Sequence, residues 1–244
     1  PIFSAEIDSV IPDSPALYSG LQSGDKIATV ANASMYSCTG IIAIGGIPIF
    51  MDVDLKNNLV TLSEVVTAIS RGVKAVIVTH LYGQAIPEIK EIAEKCRSAG
   101  VFLVEDCAQA HGAQYRGKSV GSLGTVGAWS FCQDKIMTTG GEGGMLITNN
   151  DALWEAAWSY KDHGKSRKAM AKPSNGCFRF IHEYAGTNFR MTGLQAAIGR
   201  VQLTKLDKWL EARRVRAERI IESVRSIPNL QVARVPAGSR HAYY

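Results

Sequence analysis

Cysteine is scarce in this sequence and never paired. The five thiols, Cys38, Cys96, Cys107, Cys132 and Cys177, are odd in number, far apart, and form no CxxC. That argues against a disulfide framework or a zinc knuckle and for a reducing, cytoplasmic setting. No metal-ligand set stands out. Cys107 and Cys132 fall at the ends of apolar runs, where small buried thiols are expected. Long apolar runs are missing as well. The most apolar stretch, residues 40–51, is broken by Gly45, Gly46 and Pro48, so no membrane span is expected. No charged-then-apolar leader opens the chain, and no secretory signal is expected. A phosphate-cradling Walker loop is also absent. In "SFCQDKIMTTGGEGGMLITN" (130–149) the lysine precedes the glycines, and Ile136 follows it where Ser or Thr would stand.

What is present is ordinary for a folded domain: 46% hydrophobic and 20% charged residues over 244 positions, enough for a sizeable core. The net charge of +5 reflects 27 basic against 22 acidic residues. Much of the excess lies in "KLDKWLEARRVRAER" (205–219), whose interleaved signs read as a solvated helix face. A polyanion contact is the lesser alternative, so nucleic acid is not the leading partner.

Short β-type runs alternate with helical windows. Strands are expected at 26–30, 47–54, 74–80 and 101–107, with helices near 37–44, 61–70 and across "IPEIKEIAEKCRSAG", where Pro87 sits in the first turn and Gly100 at the stop. The runs at 74–80 and 101–107 are almost uniformly apolar, as strands covered on both faces are. Two further strands, "VGAWSFC" and "GGMLITN", flank the lysine and the glycines. From Asp151 onward the pattern is helical apart from a polar loop at 165–176. One long helix is expected from about Thr192 to Ser226, and a last strand at 230–235. The spacing predicts an α/β fold, a mostly parallel sheet flanked by helices.

In such sheets ligands bind beyond the carboxyl ends of the strands. One strand ends in "EDCAQAHGA", delivering Glu105, Asp106 and Gln109; another ends in "SFCQDK", delivering Ser130 and Lys135. An aspartate there has a plain reading as a helix cap, and a lone lysine is usually solvated. Together they match the needs of pyridoxal 5'-phosphate. A lysine condenses with its aldehyde, a carboxylate keeps its pyridine nitrogen protonated, and hydroxyls and amides hold its phosphate. A hairpin turn would explain "GGEGG" but neither the lysine nor the aspartate.

The segments "EDCAQAHGA", "GTVGAWSFCQDKIMTTGGEGGMLITNND" and "GTNFRMTGLQAAIGRVQL", with "ANASMYS", "IPIFMDVD" and "THLYGQ", resemble the DegT/DnrJ/EryC1/StrS aminotransferases from about Gly20 onward. The resemblance implies the large domain of the pyridoxal-phosphate-dependent transferase fold type I, the aspartate-aminotransferase fold. It further implies a cytoplasmic homodimer that moves an amino group, usually from glutamate, to a nucleotide-linked keto-sugar. Carried over, Lys135 binds the cofactor aldehyde and shuttles the proton, which requires its pKa to fall beside a cationic ring. Asp106 faces the pyridine nitrogen, Gln109 the ring hydroxyl, and Ser130 the phosphate. Asn188 reaches the phosphate in the neighbouring subunit. Tyr36 is a stacking candidate or a core aromatic, and His163 and Arg190 are substrate-side or structural.

Three departures accompany the resemblance. The family's small C-terminal domain is nearly lacking, so the chain is expected to be cut off. The N-terminal phosphate-binding turn has no counterpart, and Gly193 replaces a usual acidic residue. The expected organisation is an atypical segment 1–24, a cofactor-binding large domain 25–226, and the start of a small domain at 227–244. "VIPDSPA" in the first segment is similar to the peptide-binding loop of PDZ domains. Rival readings are a sugar dehydratase on the same framework, disfavoured by the presence of Lys135, a non-catalytic regulatory or scaffold protein, and a PDZ-type peptide binder.

Overall fold

A computed structural model describes residues 21–173 and 176–244; the PDZ-like stretch up to Gly20 lies outside them. Six strands form the central sheet in the order β2-β1-β3-β4-β7-β8. They are β1 (Lys26–Val30), β2 (Ile47–Met51), β3 (Ala75–Thr79), β4 (Phe102–Asp106), β7 (Val126–Ser130) and β8 (Gly144–Ile147). Every neighbouring pair is parallel except β7 with β8, which is antiparallel. The helices between them are α1 (Tyr36–Ala43), α2 (Leu62–Ser70) and α3 (Ile89–Ser98). The expected mostly parallel α/β sheet is therefore what the chain forms.

The middle of the sheet is dry because its strands carry apolar side chains on both faces. Val76, Val78 and Leu103 are essentially inaccessible, and Ile86, Ile89 and Ile92 of the β3–α3 connection and α3 cover them. Helix α2 starts where Thr61 accepts from the Glu64 amide, the Ser/Thr start seen in its sequence. Pro87 falls just ahead of α3 instead of inside its first turn.

The second half differs from expectation in three places. The polar stretch after α4 (Asp151–Lys161) contains a short helix, α5 (Arg167–Ala171), capped by the Ser166 hydroxyl. The long helix is two: α6 (Gly193–Leu203), opened by a Thr192/Gln195 capping box, and α7 (Leu206–Val224). At the break, the Lys205 amide reaches only to the Gln202 carbonyl, one residue short of α-helical spacing. The break lets Leu206 and Leu210 turn into the core. Leu210 seats on Gly112, at φ +75°, where any Cβ would collide with the leucine methyls.

Residues 230–235 are not a strand. They are largely exposed, and their alternating pattern finds no neighbouring strand. The chain instead returns at β9 (Ser239–Arg240), which pairs antiparallel with β5 (Gln114–Tyr115); β5 also pairs with β6 (Lys118–Ser119). Beyond β9, Ala242 is fully buried and donates its amide to the Gly83 carbonyl. No helix among the described residues is long and apolar enough to cross a membrane.

Candidate functional site

Strands β3, β4 and β7 run in one direction, so Thr79, Asp106 and Ser130 share the carboxyl edge of the sheet. Asp106 is held there by two contacts: its Oδ1 accepts from the Ala108 amide at 3.0 Å and its Oδ2 from the Thr79 hydroxyl at 3.5 Å. Gln109, three residues on, accepts the Tyr82 amide at 2.7 Å. Ser130 accepts from the Cys132 amide at 3.3 Å, and the turn that follows carries Lys135.

Lys135 is largely covered, its side chain 12% exposed, and lies 3.6 Å from Asp134. Its Nζ donates to the Tyr244 hydroxyl at 3.2 Å, and that hydroxyl donates to Asp134 at 2.7 Å. Burial pulls the lysine's pKa down, but Tyr244, Asp134 and Cys132 outweigh it, so it stands above its ordinary value.

Beside Lys135 sits a group the sequence reading passed over. His111 is 3% exposed, lies between Trp129 and Phe131 at ring distances of 5.4 and 5.9 Å, and has no hydrogen-bond partner at either nitrogen. Burial, partly offset by the Ser130 backbone and reinforced by the Lys135 charge, pushes its pKa down to about 4. Tyr82 was also passed over. It is half-exposed at the same edge and held at φ +58°, a conformation that bulky residues adopt rarely.

Behind the edge, Glu105 and His80 are both fully buried and meet at 2.9 Å. His80 accepts the Ile86 amide at Nδ1, which leaves Nε2 as the donor to Glu105. The carboxylate also accepts the amides of Gly121, Leu123 and Gly124. Burial pushes Glu105 up, yet His80 and those amides hold it below its usual range. Cys107 lies within 4.8 Å of both groups. Its thiol is pushed well above the ordinary value by burial and by Glu105 and Asp106, and the nitrogens and oxygens around it are already paired. The cluster is a fastening between strand ends.

The remaining candidates lie apart. Tyr36 is the exposed first residue of α1. Asn188 bridges to Asp162, and its Oδ1 accepts from Arg190, whose guanidinium also meets Asp162 at 3.5 Å and His163 at 3.1 Å. Neither residue hydrogen-bonds to the Asp106–Lys135 group among the described residues. Cys132 is half-buried, its thiol 3.4 Å from Glu142, because the turn lifts it from the sheet. Arg213 and Arg214 are not wholly solvated. They donate to the Tyr243 and His241 carbonyls and fasten the segment that carries Tyr244. Next to Lys135 opens a cavity of about 590 Å³ bordered by Trp209, Arg213, Arg216 and Tyr243.

The DegT/DnrJ/EryC1/StrS aminotransferase family matches residues 16–244. The chain belongs to this family. A GDP-perosamine synthase of Vibrio cholerae is 33% identical over 225 residues, which are 92% of this chain and 58% of that protein. A pleiotropic regulatory protein of Geobacillus stearothermophilus is 36% identical over 81% of this chain and 50% of its own length. The X-ray structure of an aminotransferase from Psychrobacter cryohalolentis superposes with a TM-score of 0.87 at 38% identity, covering 95% of this chain and 61% of that one. The chain thus spans from half to about three-fifths of the length of these relatives. Members of the family are pyridoxal-phosphate-dependent enzymes. The residues present fit that cofactor: a covered lysine, a carboxylate at a strand end, and a buried imidazole near the lysine whose nitrogens lack a well-formed hydrogen bond.

Proposed function

We propose that this protein is a pyridoxal-phosphate-dependent aminotransferase that passes an amino group, from a donor such as glutamate, to a nucleotide-linked keto-sugar. The observation that carries the reading is the largely covered side chain of Lys135, on the turn that follows the strand edge that also holds Asp106. When bound, the cofactor supplies an electron sink for the pair left as an α-proton departs. Asp106 offers its carboxylate to the pyridine nitrogen, and its two hydrogen bonds fix it in place. Lys135 would hold the cofactor through its aldehyde, and its amine would serve as the base and acid that holds or moves a proton at the site. Gln109 would meet the ring hydroxyl and Ser130 would hold the phosphate, and Tyr36 is a candidate for the ring face. Arg213 and Arg216 border the adjacent cavity with the charge that a nucleotide's diphosphate requires.

Asn188 serves a second subunit in this reading. Its exposure, and that of Phe178, Phe180 and Phe189 around it, supports a homodimer with shared sites. The test is the visible absorption of the purified protein with added pyridoxal phosphate, with Lys135→Ala beside it. The expected result is a band that borohydride abolishes, that the variant lacks, and that glutamate converts to the aminated form. No band in the parent protein overturns the reading. The similarity to a protein named as a regulator favours a second one, a cofactor-binding regulator. It predicts the band without conversion by any amino donor.

A further inference from the structure

The contact between Lys135 and Tyr244 joins residues 109 positions apart, and nothing in the local sequence of either announces it. Several bonds build it. Tyr244 donates its amide to the Tyr82 carbonyl, Ala242 donates to Gly83, and Arg213 fastens the Tyr243 carbonyl. With the backbone pinned this way, the phenol ring reaches across the strand edge. Its hydroxyl has two partners and uses both of its functions, accepting from the Lys135 ammonium and donating to Asp134. The lysine nitrogen also lies 4.9 Å from the ring centroid.

We infer that Tyr244 is a further catalytic residue of this site: its hydroxyl holds the Lys135 ammonium charged and oriented whenever that nitrogen is not bonded to the cofactor, and connects it to Asp134. The inference rests on the function proposed above. It adds a specific consequence. A neutral amine is the form that condenses with an aldehyde, so the hydroxyl opposes cofactor loading at neutral pH. The same contact favours the protonated lysine that returns a proton to carbon. The groups facing Lys135 are Tyr244, Asp134, Cys132, His111 and, across the cavity, Arg213 and Arg216. Tyr244, Asp134 and Cys132 together outweigh burial, in agreement with a lysine whose pKa stands above its ordinary value.

Two measurements on the purified protein test this. The first needs no cofactor. Lysines are labelled with trace acetic anhydride across a pH series, and acetylation of the Lys135 peptide is read by mass spectrometry. In the parent protein Lys135 becomes reactive at higher pH than the exposed Lys90. In Tyr244→Phe, which keeps the ring, its reactivity moves to lower pH, and Asp134→Asn moves it the same way. Tyr243→Phe, whose ring stacks on His241, leaves it in place. The second measurement is the rate at which the visible band grows on adding pyridoxal phosphate at pH 7. Tyr244→Phe gains about tenfold for each pKa unit the hydroxyl contributes. Unchanged Lys135 labelling in folded Tyr244→Phe overturns the inference. A parent protein that labels as expected but forms no band overturns the aminotransferase reading instead, and leaves the lysine–tyrosine contact standing.

Discussion

Two polar clusters in this chain stand on opposite terms with solvent. Around Glu105, every donor and acceptor of the carboxylate and of His80 is taken, and both side chains are fully buried. Around Asp162, charges also converge, from Lys165 at 3.0 Å and Arg190 at 3.5 Å. The surrounding segment, however, leaves Phe178 and Phe180 more than four-fifths exposed. The first cluster is finished by its own chain, and it ties β3, β4 and the 121–124 turn together just behind Asp106. The second belongs to a segment that carries Asn188 and large aromatic rings on its exposed surface.

The comparison is broken most severely at Glu105. Glu105→Ala strands three backbone amides and His80 in a dry interior, and the expected cost is about 3–5 kcal/mol, read by urea unfolding. Acid should act by the same route. Because the folded protein holds Glu105 below its usual pKa, its contribution is present above the unfolded value and fades as pH falls through the lowered folded one. A variant that unfolds at the parent's urea midpoint would show that the carboxylate is not the fastening described.

Much of the finished half is legible in sequence. Buried parallel strands read as unbroken apolar runs, and a strand that ends in "ED" or leads into "QDK" puts its chemistry at the carboxyl edge whatever surrounds it. The placement of Asp106 and Ser130 at that edge, with Gln109 and Lys135 on the turns that follow, was therefore findable. Tyr244 was not, because its partner is 109 residues away and only the fold defines that distance. The His80–Glu105 pair spans 25 residues and two strands, and a histidine at a strand end has many ordinary roles. The strand expected at 230–235 failed for a related reason. Local β pattern is only an offer of pairing, and no neighbouring strand takes it up there. The long helix failed at Thr204–Lys205, which carry no breaker; burial of Leu206 and Leu210 outweighs helical continuity.

The next prediction sharpens the other side of the comparison. Replacing Phe178 and Phe180 by serine removes two rings that touch mainly each other, at 5.2 Å, and solvent. Unfolding of the single chain should change by less than about 0.5 kcal/mol, as for surface positions generally. On the dimer reading proposed above, sedimentation should show association weakened toward monomer, because large exposed aromatics are interface residues when they cluster. A double variant that destabilises the monomer by several kcal/mol would place these rings in a core instead.

The smallest expected effect belongs to Arg190→Ala. Its guanidinium is 45% exposed, and Asp162 keeps Lys165 as a nearer partner, so the loss of stability should stay under about 1 kcal/mol. Burial pushes Asp162 up, and Lys165, Arg190 and Lys161 pull it below its usual range. Its contribution is thus lost as pH falls through that lowered value, and the variant shifts the loss only slightly upward. Affinity for pyridoxal phosphate separates the possible roles. Arg190 donates to the Asn188 side chain, and Asn188 serves the second subunit's cofactor in the dimer reading. The variant should then bind pyridoxal phosphate a few-fold more weakly when dimeric, with the melting curve nearly unmoved. Equal affinity in both proteins would make Arg190 a structural ion-pair partner and would remove Asn188 from the shared site.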